Sequence, residues 1–293
     1  MRTILACVDA ARARLRTAGV PDGEADKDAR LLARHVLGWD AARLLTDATD
    51  TTPEGFSTAY DALLDRRTAR EPIAYILGVQ EFWGLTFEVG PAVLIPRPET
   101  EVLVETALAQ IPEAASFDVA DVGTGSGCVA IAIARDRPRA QLVATDISRA
   151  ALEIAAANAA RHGVADRITF ACGDLLAPPS FGQRRFDLIV SNPPYVAEDD
   201  RPALQPEVRE YEPASALFAG REGLSIIRRL VTESVPRLKP GGHLMFEIGL
   251  GQDKAVCELI SATPGITMIA LKQDLQGIAR TAIVRRDAEA TGR

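Results

Sequence analysis

The chain has 293 residues, 47% hydrophobic and 25% charged, a composition typical of a soluble globular protein with one or two domains. Its net charge of −7 divides into −1 for residues 1–75 and −6 for the remainder. Neither part has the basic surplus of proteins that bind nucleic-acid phosphates by bulk charge. We therefore expect no direct nucleic-acid binding, although charge alone leaves a duplex-DNA substrate open.

The cysteines and the N-terminal sequence favour an intracellular protein. The four cysteines are far apart and form no Cys-x-x-Cys pair, so we expect free thiols in a reducing cytoplasm and no metal site. The opening sequence lacks the length and cleavage pattern of a secretory signal, and no apolar run reaches the roughly 18 residues of a membrane span. These features predict a cytoplasmic protein with no membrane segment.

Residues 1–75 are predicted to form a small helical domain. The segment 21–38 opens with Pro-Asp and an acidic first turn, carries apolar residues at helical spacing and stops at Gly38. The segment 52–72 repeats this form and ends at Pro72. No catalytic constellation lies in this region. Residues 76–96 are rich in aromatic and β-branched residues around two glycines and predict a β-hairpin that joins two domains.

From residue 97 to residue 293, predicted strands and helices alternate. The predicted strands are 117–123, 140–146, 167–174, 186–192, 241–249, 265–273 and 280–286, and the predicted helices are 128–136, 151–163, 223–238 and 253–262. This alternation predicts an α/β domain with a mostly parallel sheet covered by helices on both faces. The last two strands have no helix between them, which predicts an antiparallel pair at one edge of the sheet.

A glycine-rich segment, DVGTGSG at 121–127, follows the first predicted strand of this domain and opens a helix. Glycines allow the backbone to approach a ligand closely, and the helix N-terminus adds partial positive charge. The spacing is Gly-x-Gly-x-Gly, which differs from the Gly-x-Gly-x-x-Gly of dinucleotide-binding proteins. We predict that the loop binds a cofactor through Asp121, Gly123, Thr124, Gly125, Ser126 and Gly127. The alternative is a tight strand-to-helix turn.

Acidic residues follow the next two predicted strands. The Asp146 carboxylate, next to Ile147, could accept both ribose hydroxyls of a nucleoside, although it could instead cap the following helix. Asp174 and Leu175 would bound the adenine through a carboxylate contact and apolar packing, unless Asp174 is an ordinary loop carboxylate. With the glycine loop, this pattern indicates a nucleoside cofactor. The residues alone leave NAD and S-adenosylmethionine both open.

The segment FDLIVSNPPYVAEDD at 186–200 is an apolar strand that ends on Asn-Pro-Pro-Tyr. Two prolines turn the backbone away from the sheet, and the Asn192 side chain offers an acceptor oxygen. With the Pro193 carbonyl it could accept both N–H groups of a planar amide or amino group, while Pro194 fixes the turn and Tyr195 lies against the planar group. This tip predicts methylation of a planar nitrogen, and an ordinary strand end is the alternative.

These motifs resemble those of class I S-adenosylmethionine-dependent methyltransferases that act on planar nitrogen, a group that includes adenine-N6 and guanine-N2 nucleic-acid enzymes. The segments 70–101, 191–200, 207–224 and 241–252 and the terminal KQDLQGIARTAIVRR more closely resemble the HemK/PrmC family. That family comprises protein-(glutamine-N5) methyltransferases of peptide-chain release factors. The resemblance spans essentially the whole chain, including the helical start.

The HemK/PrmC resemblance implies a Rossmann-like methyltransferase fold, S-adenosylmethionine as cofactor, and the glutamine of a Gly-Gly-Gln loop in class I release factors as substrate. It further implies that the helical domain docks this protein substrate. Arg97 and Glu101 are candidates for ordering the methionine end of the cofactor, with a domain-linker salt bridge as the alternative. The acidic run 198–200 could meet basic groups of the partner or could be a solvated loop. The rival functions are nucleic-acid methylation and nucleoside binding without turnover.

Overall fold

The computed structural model describes residues 2–177 and 182–288. The predicted domains 1–75 and 97–293 therefore include short stretches that lie outside the described residues. The chain divides into two compact units. The helical unit contains Met1–Val79 and Gln205–Tyr211, and the sheet unit contains Gln80–Leu204 and Glu212–Arg293.

The described helices and strands have the following bounds. The helices are α1 (Ile4–Thr17), α2 (Asp22–Leu37), α3 (Ala41–Thr46), α4 (Phe56–Thr68), α5 (Ile73–Leu77), α6 (Glu101–Gln110), α7 (Cys128–Asp136), α8 (Arg149–Arg161), α9 (Pro206–Tyr211), α10 (Ala214–Leu217), α11 (Ser225–Ser234) and α12 (Asp253–Ser261). The strands are β1 (Val79–Phe82), β2 (Leu85–Glu88), β3 (Phe117–Val122), β4 (Ala140–Asp146), β5 (Ile168–Cys172), β6 (Phe186–Ser191), β7 (Leu238–Glu247), β8 (Ile266–Gln273) and β9 (Ala279–Arg286). Within the described residues, no helix is both long enough and apolar enough to cross a membrane.

The helical unit is built from α1 to α5 and α9, with an apolar core between the longer helices. Thr3 caps α1 by accepting a hydrogen bond from Ala6 N–H at 3.2 Å, and Gly38 ends α2 in the left-handed conformation that glycine favours. In the core, the buried Tyr60 hydroxyl donates to the Ala29 carbonyl at 2.8 Å. The sequence correctly predicted helices here because apolar residues recur at helical spacing.

A buried ion cluster holds α9 within the helical unit. Arg67 is 2% exposed and donates to Asp28 at 2.7 Å and to Glu207 at 2.8 Å. Arg70 donates to the other oxygen of Glu207 at 2.6 Å. Burial raises the pKa of Asp28, whereas for Glu207 the hydrogen bonds from Arg70 and Arg67 outweigh burial and lower the pKa. The sequence pattern did not indicate that a segment so late in the chain belongs to this unit.

Seven described strands form the sheet, in the order β5-β4-β3-β6-β7-β9-β8. The strands from β5 to β7 are parallel, and β9 runs antiparallel to both β7 and β8. The predicted fold class is therefore confirmed, including the antiparallel strands at one edge. The chain builds outward from β3 through β4 to β5 and then returns to the other side of β3 as β6. This reversal creates a crevice at the carboxyl ends of β3 and β6, where α/β sheets bind ligands.

Alternating side chains of the central strands pack against helices on opposite faces. Val119 and Leu188 point toward one core with α6, α7 and α8, whereas Ala120 and Ile189 point toward the other with α11 and α12. The predicted hairpin is also present, since β1 and β2 form a two-stranded sheet. Its two-residue turn has positive φ at both positions, as a type I′ turn requires.

Candidate active site

A cavity of about 360 Å³ opens at the carboxyl ends of β3, β4 and β6, and its lining residues all belong to the sheet unit. Most of the predicted site residues lie along its wall: Asp121, Gly123, Thr124, Gly125, Ser126, Asp146, Ile147, Asp174, Leu175, Asn192 and Pro194. Pro193, Tyr195, Gly127, Arg97 and Glu101 do not line it. These residues lie up to 73 positions apart in the sequence, from Asp121 to Pro194. They meet at one cavity because the strands are parallel, so that their carboxyl ends lie at the same edge of the sheet.

The glycine loop exposes its backbone to this cavity. Gly123 and Gly125 have φ of 74° and 55°, and a Cβ added to either would meet no atom within 4 Å. Gly127 has a different task, because a Cβ there would lie 3.1 Å from the Cβ of Ala155 on α8. The first two glycines therefore leave open space for a ligand, and the third allows the loop to pack closely against a helix.

Asp121 borders the cavity, but its carboxylate is directed into the loop. Its Oδ2 accepts from the Thr124 hydroxyl at 2.6 Å and from Ala130 N–H at 3.2 Å. Burial, with a smaller contribution from the charge of Asp146, raises the pKa of Asp121 to about 6. The residue next to the loop, Cys128, also borders the cavity, and burial raises the pKa of its thiol to about 12. The thiol is therefore protonated at neutral pH and a poor nucleophile.

Asp146 lies at the end of β4 and holds the glycine loop. Its Oδ2 accepts from Gly125 N–H at 2.9 Å, and its Oδ1 accepts from Ser148 N–H at 2.9 Å. Ser148, not Asp146, caps α8, since its hydroxyl accepts from Ala151 N–H at 3.2 Å. A carboxylate has about four acceptor positions, so Asp146 retains capacity for two further donors.

Apolar and acidic groups border the side of the cavity beyond Asp146. Ile147 is 65% exposed there, and Leu175 adopts a left-handed φ of 48°, with its carbonyl accepting from the Thr145 hydroxyl at 3.1 Å. Asp174 is half exposed and accepts from Arg229 at 2.9 Å. The arrangement offers an apolar surface beside a carboxylate, which suits a flat base with an amino group.

The Asn-Pro-Pro-Tyr tip follows β6 at the cavity wall. Asn192 Nδ2 donates to the Thr100 hydroxyl at 3.0 Å. Among the described residues, no group donates to Asn192 Oδ1 or to the Pro193 carbonyl. Tyr195 is turned the other way, and its hydroxyl donates to Glu247 at 3.0 Å. Burial and the neighbouring Glu247 raise the pKa of Tyr195 well above its usual range.

A glutamine that the sequence analysis missed fixes the backbone behind this tip. Gln252 Nε2 donates to the carbonyls of Tyr195 at 2.9 Å and Gly223 at 3.2 Å, and its Oε1 accepts from Gly249 N–H at 2.9 Å. A Cβ added to Gly223 would lie only 2.2 Å from the Tyr195 carbonyl oxygen. This close approach allows the loop before α11 to lie against the tip.

The sequence analysis also missed two further residues near the tip, Glu247 and Thr100. Glu247 ends β7, is 1% exposed, and accepts from Thr100 at 2.7 Å as well as from Tyr195. Burial raises the pKa of Glu247, and the two hydroxyl donors and the charge of Arg280 oppose this effect. The sequence did contain a signal for Glu247, since the segment GGHLMFEIG has a carboxylate at the end of an apolar strand. A glutamate is rarely fully buried unless it is paired with another polar group.

Arg97 and Glu101 lie away from the cavity wall. Arg97 forms an ion pair with Glu212, whose buried carboxylate also accepts from Ile95 N–H at 3.2 Å. Glu101 accepts from Trp83 N–H at 2.8 Å in the β1–β2 turn. The structure thus assigns both residues internal partners, and their suggested contact with the cofactor stays a prediction.

The acidic run after the tip is exposed at all three positions. Glu198 forms an ion pair with Arg201 at 3.0 Å, and Asp199 lies 4.0 Å from Arg221. Such exposed pairs contribute about 0–1 kcal/mol each, so the run is partly neutralised locally and contributes little to stability.

Comparison with known proteins identifies the family. Residues 6–78 match the PrmC N-terminal domain, and residues 98–207 match the methyltransferase small domain. The chain is 45% identical over 278 residues to the release factor glutamine methyltransferase of Geobacter sulfurreducens, with 95% of each chain covered. The chain belongs to the release factor glutamine methyltransferase family. Its identity to the Cereibacter sphaeroides member of that family is 43% over 283 residues, covering 96% of this chain and 98% of the relative.

Solved structures place the same fold in a wider group. This release factor glutamine methyltransferase family member matches the human Mettl16 catalytic domain in complex with a MAT2A 3′UTR hairpin with a TM-score of 0.55, at 17% identity and covering 78% and 84% of the two chains. A methyltransferase from Pyrococcus furiosus matches with a TM-score of 0.51, at 17% identity and covering 78% and 98%. At such identity the likeness concerns the fold alone, and it agrees with the predicted Rossmann-like methyltransferase fold.

Proposed function

We propose that the protein transfers the methyl group of S-adenosylmethionine to the side-chain amide nitrogen of the glutamine in the Gly-Gly-Gln motif of class I peptide-chain release factors. The observation that carries this proposal is the pair of acceptors at the tip of β6. Asn192 Oδ1 and the Pro193 carbonyl have no donor among the described residues, whereas a glutamine amide presents two N–H donors. The names of the 40–45% identical relatives support the same substrate.

The cavity residues fit S-adenosylmethionine. The open backbone at Gly123 and Gly125, the remaining acceptor capacity of Asp146, and the apolar surface of Ile147 and Leu175 suit an amino-acid chain, a ribose and an adenine in turn. When bound, S-adenosylmethionine supplies an electrophilic methyl group on a sulfonium. The cavity is broad enough for a small nucleoside, since ligand sites of about 300–1,000 Å³ are usual.

The residues of this chain hold and orient the substrate amide. Asn192 Oδ1 and the Pro193 carbonyl accept its two N–H groups and thereby fix the plane of the amide. An amide nitrogen is a poor nucleophile because its lone pair is delocalised, so positioning and exclusion of water must supply most of the rate enhancement. Well-oriented reactants gain roughly 7–11 kcal/mol in this way. No histidine is among the residues that line the described cavity, and no base is needed before the nitrogen has been alkylated.

The proposal is tested with radiolabelled S-adenosylmethionine and a purified class I release factor. We expect label in the release factor and none in its Gly-Gly-Gln variant with Gln→Ala. Asn192→Ala should lower kcat by about 10²-fold or more, as for loss of a preorganised polar contact in a site. Gln276→Ala, which removes an exposed amide in the β8–β9 turn, is the control and should stay within about twofold.

Two outcomes would contradict the proposal. Equal label in the release factor and its Gln→Ala variant would exclude glutamine as the acceptor. Label in DNA or RNA, but none in the release factor, would favour the nucleic-acid methyltransferase alternative.

The release factor is also the proposed partner of the helical unit, in the bacterial cytoplasm where release factors act. The match of residues 6–78 to the PrmC N-terminal domain supports this role. Leu45 on α3 is 72% exposed and offers a simple test. Leu45→Ser should raise the KM for the release factor and leave kcat unchanged, whereas the control Leu275→Ser, at a fully exposed leucine of the β8–β9 turn, should change neither. Equal KM values for both variants would remove Leu45 from the docking surface.

A further inference from the structure

The Glu247 carboxylate is buried beneath the Asn-Pro-Pro-Tyr tip without an ion-pair partner among the described residues. It is 1% exposed, and its two oxygens accept one hydroxyl each, from Thr100 at 2.7 Å and from Tyr195 at 3.0 Å. Arg280, the cation whose charge acts on it, forms its ion pair with Asp274 instead. A buried carboxylate without a cation is costly, so its presence beside a catalytic tip calls for a role other than stability.

The hydrogen bonds at Glu247 impose a direction on the bonds that follow. In its ionised form Glu247 only accepts, and each hydroxyl has a single proton. The Thr100 proton is committed to Glu247, so the Thr100 oxygen can only accept from its other neighbour, Asn192. Of the two ends of the Asn192 amide, only the NH₂ end can donate, and it lies 3.0 Å from Thr100 Oγ1. The carbonyl end, Oδ1, is therefore the end left for the substrate.

We propose that Glu247 and Thr100 are positioning residues that fix the orientation of the Asn192 amide, so that its oxygen faces the substrate nitrogen. The inference rests on the proposed function, because that function supplies the substrate N–H group from which Asn192 Oδ1 accepts. Without these hydrogen bonds from Glu247 through Thr100, the two ends of the Asn192 amide could exchange, because they are nearly equal in shape. An inverted amide would present N–H groups to the N–H groups of the substrate and would repel it.

Glu247 also holds Tyr195, the other polar side chain of the tip. Its hydroxyl occupies the second oxygen of Glu247, and Gln252 holds its carbonyl at 2.9 Å. One carboxylate thus orders both Asn192 and Tyr195, although it lines no part of the cavity itself.

The first test uses two identical substitutions at buried threonines. Thr100→Val removes the hydroxyl between Glu247 and Asn192. Thr281→Val is the matched control, because Thr281 is 1% exposed, lies opposite Glu247 in the β7–β9 register, and its hydroxyl has no partner among the described residues. We expect Thr100→Val to lower kcat on the release factor by about tenfold or more, with the affinity for S-adenosylmethionine within about twofold. Thr100→Ser should restore most of the activity, and Thr281→Val should match the wild type.

The second test reverses the direction of the chain of hydrogen bonds. In Asn192→Asp, the new carboxylate faces a Thr100 oxygen whose proton is committed elsewhere, so kcat should fall by about 10²-fold. Adding Glu247→Gln places an NH₂ group against Thr100, which frees the Thr100 proton for the aspartate, while the glutamine oxygen still accepts from Tyr195. The double variant should therefore exceed Asn192→Asp alone by about tenfold.

A third measurement does not depend on activity. The sequence contains two asparagines, Asn158 and Asn192, so a protein labelled with ¹⁵N-asparagine gives two side-chain NH₂ signal pairs. Thr100→Val should shift the Asn192 pair and speed its exchange with solvent. The Asn158 pair, which donates to the Glu88 and Ser126 carbonyls, serves as the internal reference and should not move.

These measurements separate the inference from the function on which it rests. If the wild-type protein fails to label a release factor, the proposed function is wrong, and the NMR signals still report the amide orientation. If the wild type labels the release factor but Thr100→Val behaves like Thr281→Val, the positioning role is wrong. A double variant no more active than Asn192→Asp would also overturn it.

Discussion

Asp121 should make the sheet unit less stable as the pH rises. Its carboxyl is 1% exposed, and burial raises its pKa from the usual 3.8 to about 6. A carboxyl with a higher pKa in the folded than in the unfolded state contributes stability that is complete below pH 3.8 and is lost as the pH rises through about 6. The shift corresponds to about 3 kcal/mol of unfolding free energy in total.

Asp121→Asn removes this titration and keeps an oxygen that can accept from Thr124 and Ala130. The wild type has already lost part of this stability at pH 5, where some of the change in Asp121 protonation has taken place. The unfolding free energy of Asp121→Asn relative to wild type should therefore increase by between about 1 and 2 kcal/mol from pH 5 to pH 8. The assay is urea unfolding at both pH values. Fluorescence of Trp83 in a Trp39→Phe background reports the sheet unit, since these are the two tryptophans of the chain.

Asp118→Asn is the control for this experiment. Burial of Asp118 is outweighed by hydrogen bonds from Arg184 and Lys239, which lower the pKa of its carboxyl. Both its folded and its unfolded pKa therefore lie below pH 5, and its effect on stability should be the same at pH 5 and pH 8. The unfolding free energy of Asp121→Asn relative to wild type could instead be the same at pH 5 and pH 8, or decrease between them. Either result would refute a raised pKa for Asp121.

Two further predictions concern folding and the tip. Arg67→Met leaves the buried Asp28 carboxylate without its cation, whereas Glu207 keeps Arg70. It should lower the unfolding free energy of the helical unit by about 3–5 kcal/mol, measured by Trp39 fluorescence in urea in a Trp83→Phe background; a loss below 1 kcal/mol would mean that the cluster is solvated. Gly223→Ala places a Cβ 2.2 Å from the Tyr195 carbonyl and should reduce both thermal stability and methyl transfer. Gly163→Ala, with a similar φ of 68° but open space around it, should cost only about 1 kcal/mol of strain and leave activity intact, so equal effects of the two would contradict the close contact.

The fold could be predicted from the sequence because its signals are local. The glycine loop, the acidic residue at the end of β4 and the Asn-Pro-Pro-Tyr tip each interrupt an apolar strand. A parallel sheet then brings the carboxyl ends of successive strands to one edge. The predicted alternation of strands and helices, and the parallel sheet that it implies, were enough to expect Asp146 and Asn192 at the same edge of the sheet.

The supporting residues could not be predicted in this way because their partners are distant in sequence. Thr100 and Glu247 are 147 positions apart, and Thr100 and Asn192 are 92 apart. No spacing rule relates such pairs. Arg97 and Glu101 illustrate the converse, since an arginine and a glutamate near a predicted site suggested ligand contacts. The structure gives them Glu212 and the Trp83 N–H as partners, and a contact of either residue with the cofactor stays a prediction.

The placement of α9 has a consequence for synthesis on the ribosome. Arg67 meets Glu207 from 140 positions further along the chain, well after the intervening β3 to β6 have been translated. An N-terminal fragment that ends at Val79 would emerge with Arg67 and Arg70 lacking this carboxylate. The helical unit therefore completes its own interior only once β3 to β6 have been translated, so its folding cannot finish before that point of synthesis.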